Sequence, residues 1–215
     1  MNRKYKTIAV GVSGSGTTFE AIAKAIKSNK LKLTIAIVFA DRDCRAIVKA
    51  KDLGIKVVVR KNDENIEDFH QRIITEIHKL NIDIVALAGY LRRFPVTEND
   101  SFIVINSHPG AIPYFGGQGM YGSYVHEAVY TWLQDTDWAH PYTYSTVHIA
   151  TRVYDKGPKL GIVGMRVENG DNPDTISARL LPLEHTNYIQ VLADLSEDKI
   201  EPKEYPDNFK QVMSK

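Results

Sequence analysis

The sequence lacks the features that mark secreted and membrane-spanning proteins. Cys44 is the single cysteine among its 215 residues, so the chain cannot close an internal disulfide, which is typical of a reducing compartment. No apolar run approaches the roughly 20 residues of a membrane span. The basic start at 1–6 precedes an apolar segment at 7–12 that is too short for a signal peptide. These absences predict a soluble, cytoplasmic protein.

An excess of charge of either sign is also missing. Lys and Arg number 27 against 26 Asp and Glu, which gives a net charge of +1. No global field therefore draws the chain toward nucleic acid or a membrane surface, and a small, specific ligand is the expected partner. The 43% of hydrophobic residues suffices to bury the core of one domain or of two closely joined halves.

Signature motifs of several enzyme classes do not occur. There is no Gly-x-Ser-x-Gly elbow, which disfavours a serine hydrolase. His126 and Glu127 begin a zinc-protease pattern, but Tyr130 stands where the second histidine belongs. The sequence therefore predicts no metal site.

What the first hundred residues do contain is a regular alternation of apolar runs and helical patterns. The runs predict strands at 7–12, 33–39, 55–59, 82–88 and 102–106, and the patterns predict helices at 17–28, 45–53 and 66–80, the second of which stops at Gly54. Nearly continuous apolar strands separated by helices predict an α/β fold, a Rossmann-like, mostly parallel twisted sheet with helices on both faces. The loops that follow the strands then share the edge where such sheets bind ligands.

The second half of the sequence is less regular. It predicts a glycine-rich loop at 109–122, a helix at 123–134, a surface hairpin at 135–141, strands at 142–150 and 160–167, and a helix at 173–195. The charged segment beyond Lys199 is expected to be a surface strap or to be partly loose.

A glycine turn, Ser13-Gly14-Ser15-Gly16-Thr17-Thr18, joins the first strand to the first helix. Glycines allow close approach of the backbone, and a helix start offers unpaired N–H groups to an anion. Phe19 interrupts the dinucleotide fingerprint, so the turn favours a single phosphate over a pyrophosphate. An ordinary strand-to-helix turn with Thr17 as N-cap is the alternative.

Polar residues also close the fifth strand, where Asn106-Ser-His108-Pro109 is found. Asn106 and His108 are two residues apart, so continuing strand geometry points both side chains to the same side. An amide and an imidazole together can stabilise a tetrahedral oxyanion. A carboxylate partner is available in Asp155, which follows the strand that carries His148. The alternatives are that His108 anchors the loop and that Asp155 forms a turn.

Several ordered motifs resemble phosphoribosylglycinamide formyltransferases, the folate-dependent formyltransferase family. They are Ser-Gly-Ser-Gly-Thr-Thr at 13–18, Ala-Gly-Tyr-Leu-Arg at 88–92, Asn-Ser-His-Pro at 106–109, Ser-Thr-Val-His at 145–148, Tyr-Asp-Lys-Gly-Pro at 154–158 and Glu-His at 184–185. The resemblance implies the formyltransferase fold and direct transfer of a formyl group from 10-formyltetrahydrofolate, the co-substrate, to the amine of glycinamide ribonucleotide in purine biosynthesis. It implies no metal.

The resemblance also implies roles for individual residues. The catalytic set would be Asn106, His108 and Asp155, with Asp155 keeping His108 charged. His148 would support this set, or be a core histidine. The phosphate and ribose would be bound by Gly14, Ser15, Gly16, Thr17 and Glu184, and the folate by Leu91, Arg92, Phe94, Arg152, Val153 and Tyr154.

Domain organisation and partners follow from the same resemblance. Residues 1–200 would form one formyltransferase domain, with a phosphate-binding half at 1–100 and a folate-binding, catalytic half at 101–200, and 201–215 would be a C-terminal tail. The partners would be the two small-molecule substrates, without nucleic acid or membrane, in a monomer or homodimer.

The sequence departs from the family where basic residues are common, since it has Tyr114, Gln118 and Leu181 at these positions. These losses leave open a different amine, such as an amino-sugar nucleotide. A non-catalytic folate or nucleotide sensor is a further alternative.

Overall fold

The computed structural model describes residues 5–97 and 99–214. The elements in chain order are β1 (Thr7–Val12), α1 (Thr17–Lys27), β2 (Thr34–Ala40), α2 (Arg45–Asp52), β3 (Lys56–Val59), α3 (Ile66–Lys79), β4 (Ile84–Leu87), β5 (Ile103–His108), α4 (Ser123–Asp135), β6 (Tyr142–Ile149), β7 (Lys159–Arg166), α5 (Pro173–Ser196) and α6 (Asp207–Met213). The strand order is β3-β2-β1-β4-β5-β6-β7. This arrangement confirms the predicted α/β fold class.

The chain divides into two compact units, and the first comprises Met1–Asn106 with Leu192–Lys199. Its strands pair in parallel, β1 with β2 and β4, β2 with β3, and β4 with β5. All four residues of β4 and the last five of β1 are buried. Burial on both faces explains why these strands appear in the sequence as unbroken apolar runs.

Helices of the first unit each bury one stripe of apolar residues. In α1 the buried residues are Phe19, Ile22 and Ala25. The end of α2 is as predicted, because Gly54 has a φ of 68° and its N–H donates to the Lys51 carbonyl at 2.9 Å. A left-handed residue just past the last turn is a common helix stop.

The second unit comprises Ser107–Val191 with Ile200–Lys215. Here β6 and β7 pair antiparallel. The core of this unit is a cluster of apolar and aromatic side chains drawn from the strands, the helices and the C-terminal segment, and it includes Val125, Tyr144, Leu180, Tyr205 and Phe209.

Two expectations about this unit need correction, the loose alternative for the C-terminal segment and the surface hairpin at 135–141. The C-terminal segment is not loose, because it forms α6 and buries Tyr205 and Phe209 to 3% and 0% exposure. Residues 136–141 contain no strand and so form no hairpin. They make a helix-to-strand turn, and His140, at 4% exposure, anchors it through a 2.8 Å hydrogen bond between its Nε2 and the Tyr144 hydroxyl.

No helix in the part of the chain that the structure describes combines the length and apolar character needed to cross a membrane.

Candidate active site

The glycine turn lies between β1 and α1, as predicted. Gly14 and Ser15 are exposed, whereas Gly16 is buried and has a φ of 70°. A β-carbon at Gly16 would stand 2.5 Å from the Ala46 β-carbon, so both the backbone conformation and the space require glycine there. Gly16 is also the N-cap of α1, and Thr17 is its first helical residue. The alternative with Thr17 as N-cap is therefore wrong.

A polar network holds Ser13, the first residue of this turn, in place. The Ser13 hydroxyl donates to Asp41 Oδ1 at 2.7 Å and accepts from the Leu91 N–H at 3.0 Å. Asp41 Oδ2 accepts from Arg42 and Arg92 at 2.7 and 3.0 Å. Although burial opposes ionisation of Asp41, these hydrogen bonds prevail and lower its pKa. The network joins the glycine turn to the segment after β4 and places Arg92, predicted to bind folate, in an ion pair.

The other two folate residues predicted in this segment differ in exposure. Leu91 is 54% exposed, which leaves its side chain available to a ligand. Phe94 is 4% exposed and packs against Phe39 and His70 with ring centroids 5.6 and 5.5 Å apart. Its contacts are those of a core residue.

Asn106 and His108 both lie on β5, and Asn106 is in register with Leu87 of β4. Asn106 is half-buried, and His108 is 3% exposed. The His108 Nε2 lies 2.7 Å from the Phe115 carbonyl oxygen, so this nitrogen carries the proton and donates it. The remaining nitrogen, Nδ1, is the one that can gain or lose a proton.

Asp155 is brought to this nitrogen, with its Oδ2 3.7 Å from His108 Nδ1. Its φ is 51°, a left-handed conformation that costs a non-glycine residue about 1–3 kcal/mol and occurs at functional sites. Gly117 donates its N–H to the same Oδ2 at 2.8 Å. A β-carbon at Gly116 would approach Asp155 Cβ to 2.8 Å, so the lack of a side chain at 116 permits this contact. The structure thus joins two of the three predicted catalytic residues directly.

His148 faces the other carboxylate oxygen, with Nε2 3.4 Å from Asp155 Oδ1. Its Nδ1 lies 2.9 Å from the Ile149 carbonyl oxygen and donates to it. Since both histidines direct a proton at a backbone carbonyl, the nitrogen that each turns to Asp155 carries a proton only in the imidazolium form. His148 is therefore in contact with the candidate catalytic carboxylate.

Burial and the neighbouring groups act in opposite directions on the pKa values of His108 and Asp155. Burial lowers the pKa of His108, although Asp155 and the Phe115 carbonyl act in the opposite direction. Burial also opposes ionisation of Asp155, but the interactions with His148, His108 and Gly117 together lower its pKa. These directions favour the neutral form of the His108 imidazole and the ionised form of the Asp155 carboxyl. Asp155 thus acts in the direction expected of it, since its charge raises the pKa of His108, while burial acts against it.

Glu184 lies on α5 and is half-buried. Burial raises its pKa to about 7, although the Ser145 hydroxyl partly opposes this rise. The Ser145 Oγ also lies 3.3 Å from the His108 carbonyl oxygen, so its one hydroxyl proton can serve either oxygen. Glu184 therefore belongs to the same side-chain network as β6 and His108.

Three predicted folate residues, Arg152, Val153 and Tyr154, form an exposed loop before Asp155. Val153 and Tyr154 are 58% and 41% exposed. The far end of the loop is fixed by Gly157, where a β-carbon would lie 1.7 Å from the Ile149 carbonyl oxygen. The exposed side chains thus stand on a loop that leads to Gly157, a position with no room for a side chain.

Sequence reasoning missed several groups in contact with His108 and Asp155. The Phe115 carbonyl and the Gly117 N–H belong to backbone, which a side-chain search does not find. The density of glycine in 109–122 was the available signal, since close backbone approach requires it. His126 was considered only as a zinc ligand, yet it is 3% exposed and close enough to His108 for their charges to interact.

Residues 5–97 and 99–214 contain no group of three or more His, Cys, Asp or Glu side chains placed to hold a metal ion.

Comparison with known proteins identifies the family. A sequence profile described as "Formyl transferase" matches residues 6–192. The chain is 30% identical over 207 residues to the chloroplastic phosphoribosylglycinamide formyltransferase of Arabidopsis thaliana, covering 94% of this chain and 69% of the relative. It is 28% identical over 202 residues to the phosphoribosylglycinamide formyltransferase of Escherichia coli strain K12, covering 92% and 90%.

A solved structure agrees with these relatives. The crystal structure of phosphoribosylglycinamide formyltransferase from Brucella melitensis is 27% identical, with a TM-score of 0.74, and the match covers 93% of this chain and 100% of that one. The sequence resemblance is thereby confirmed, and the chain belongs to the formyl transferase family.

Proposed function

We propose that this protein transfers the formyl group of 10-formyltetrahydrofolate to the amine of glycinamide ribonucleotide, a step of purine biosynthesis. The observation that carries the proposal is the buried His108–Asp155 pair, with Nδ1 and Oδ2 3.7 Å apart, in a chain of the formyl transferase family. The substrate is proposed from the relatives in Arabidopsis thaliana and Escherichia coli, which are phosphoribosylglycinamide formyltransferases.

In the proposed reaction the substrate amine attacks the formyl carbon and forms a new C–N bond. The carbonyl oxygen becomes an oxyanion, which Asn106 and the protonated form of His108 stabilise by hydrogen bonds. The bond between the formyl carbon and N10 then breaks. The amine loses one proton, N10 gains one, and the products are the formamide and tetrahydrofolate.

The proton relay follows from the contacts of His108. Its Nε2 is committed to the Phe115 carbonyl, so Nδ1 exchanges the proton. Burial favours a neutral imidazole before reaction, and the oxyanion and Asp155 together favour the imidazolium once negative charge develops. His108 can therefore take the amine proton and release it to N10, a role that is typical of histidine near neutral pH.

Binding roles in the proposal follow the predicted residues. Gly14, Ser15, Gly16 and Thr17 bind the phosphate through the start of α1, and Glu184 accepts hydrogen bonds from ribose hydroxyls. Leu91, Arg92, Arg152, Val153 and Tyr154 offer exposed surface to the folate, whereas Phe94 supports the segment from the core. No residue in this scheme requires a metal.

We further propose a cytoplasmic location and small-molecule substrates as the only partners that the reaction needs. A monomer or a homodimer satisfies the proposal equally, because every proposed role belongs to one chain.

The direct test is formyl transfer from 10-formyltetrahydrofolate to glycinamide ribonucleotide, followed as the formation of tetrahydrofolate. His108→Ala and Asp155→Asn should each lower kcat by about 10²–10⁴-fold, the usual contribution of proton transfer. Asp171→Asn is the matched control, since it removes a carboxylate that is 8% exposed and paired with Arg179. It should affect stability and leave kcat unchanged.

Each alternative predicts its own result. Binding of both ligands without turnover would favour the sensor. Turnover with an amino-sugar nucleotide, and none with glycinamide ribonucleotide, would keep the chemistry and change the substrate. Unimpaired turnover by His108→Ala would contradict the mechanism itself.

A further inference from the structure

The backbone that holds the candidate catalytic pair is the segment 110–117, which we call the clamp loop. Its Phe115 carbonyl accepts from His108 Nε2 at 2.7 Å, and its Gly117 N–H donates to Asp155 Oδ2 at 2.8 Å. Both side chains thus take their orientation from this loop, and its own position matters to the reaction.

The start of the clamp loop is tied down by a directed chain of hydrogen bonds. The Ile112 N–H donates to the Tyr205 hydroxyl at 2.7 Å. The Thr146 hydroxyl donates to the Gly110 carbonyl at 2.8 Å, so the 2.6 Å contact between Thr146 and Tyr205 has Tyr205 as its donor. Every group is buried, and aligned bonds of this kind strengthen one another.

Tyr205 belongs to the C-terminal segment, beyond the residues 6–192 that match the family. The segment is held by α6, where Phe209 is fully buried and lies 4.8 Å from the Tyr144 ring. The Tyr205 ring, 5.4 Å from both Tyr144 and Phe209, is packed in the same aromatic cluster. The packing of its ring therefore positions the Tyr205 hydroxyl next to the clamp loop.

We propose that Tyr205 is a positioning residue for formyl transfer, through which the C-terminal segment sets the clamp loop and hence the orientation of His108 and Asp155. This inference rests on the proposed function, since the roles of His108 and Asp155 come from it. It adds a determinant of activity from outside the family-matched region.

The test is Tyr205→Phe, which keeps the ring in its cluster and removes the hydroxyl. In the formyl transfer assay kcat should fall by about 10–100-fold, the scale of a remote misplacement of reacting groups, with KM for both substrates nearly unchanged. The Phe115 carbonyl raises the pKa of His108, and a displaced clamp loop weakens that interaction. The limb of the pH profile that His108 sets should therefore move to lower pH. Thr146→Val removes the next hydroxyl in the chain and should reproduce both effects.

Tyr144→Phe is the matched control, because it removes a hydroxyl from the same cluster whose 2.8 Å hydrogen bond goes to His140 and not to the clamp loop. It should lower the melting temperature as much as Tyr205→Phe does and leave kcat and the pH profile unchanged. Equal losses of kcat in the two tyrosine variants would overturn the inference.

Hydrogen exchange separates this inference from the proposed function. Amides of 112–117 should exchange faster in Tyr205→Phe than in Tyr144→Phe, whatever reaction the protein catalyses. Faster exchange in a protein that transfers no formyl group would reject the function and keep the role of Tyr205 in holding the loop. Unchanged exchange and unchanged kcat in Tyr205→Phe would reject the inference alone.

Discussion

Replacing Gly14 by alanine distinguishes a phosphate-binding turn from an ordinary strand-to-helix turn. A β-carbon at Gly14 meets no atom of the described residues within 4 Å, and its φ is not in the left-handed region. The folded protein can therefore accept alanine, and the reduced freedom of the unfolded chain should raise stability by about 0.4–1 kcal/mol. Any loss of function must then come from the ligand.

The expected loss is in substrate binding. A hydrogen bond from backbone to a charged phosphate contributes about 1.5–3 kcal/mol, and a methyl group that blocks it should raise KM for glycinamide ribonucleotide by about 10–100-fold. KM for 10-formyltetrahydrofolate should change little. The measurements are steady-state kinetics with each substrate varied, together with a thermal melt.

Gly16→Ala is the contrasting variant. With a φ of 70° and the Ala46 β-carbon 2.5 Å from the new methyl group, it should lower the free energy of unfolding by at least about 1–3 kcal/mol. A Gly14→Ala protein with normal stability and unchanged KM for the nucleotide would show that the turn binds no phosphate.

Three further predictions concern the buried network. Gly116→Ala places a methyl group 2.8 Å from Asp155 Cβ and should lower kcat at least 10-fold by displacing that carboxylate from His108, with a thermal melt to show that folding is retained. Burial lowers the pKa of His126 to about 4, whereas the unfolded chain titrates near 6.5, so lowering the pH from about 6.5 to 4 destabilises the folded protein through this group. Over that interval the free energy of unfolding, measured by urea titration, should fall by about 3 kcal/mol less in His126→Leu than in the unsubstituted protein. Burial raises the pKa of Glu184 to about 7, so its carboxylate is protonated below that pH and loses capacity to accept hydrogen bonds from the ribose. KM for the nucleotide should therefore rise below pH 7, and Glu184→Gln should abolish this pH dependence.

The sheet of the first unit was predictable because its signal is local. Each strand is an apolar run, and each helix carries its own buried stripe and stop, as Gly54 shows for α2. The seven residues of α6 are too few for a helical period to emerge, and a single buried aromatic, Phe209, holds the helix in place. Tertiary packing determines that element, and the sequence pattern does not reveal it.

Some properties of the candidate site could be predicted from the sequence, and others depend on tertiary packing. His108 and Asp155 could be paired from sequence because their motifs resemble those of a known family. The protonation of the pair could not be predicted from the sequence, since it depends on the burial of His108 and on which of its nitrogens donates to the Phe115 carbonyl. The motif likewise could not predict that Phe94 is buried, because its burial results from packing against Phe39 and His70.

The close contact at Gly157 has a practical consequence for engineering. Its backbone crosses the Ile149 carbonyl at a distance that leaves no room for a side chain, while the exposed side chains of Val153 and Tyr154 lie between these fixed ends. Libraries that vary 152–154 and leave 149 and 157 untouched should therefore yield folded proteins, and their KM values for the folate would test the proposed role of these three side chains.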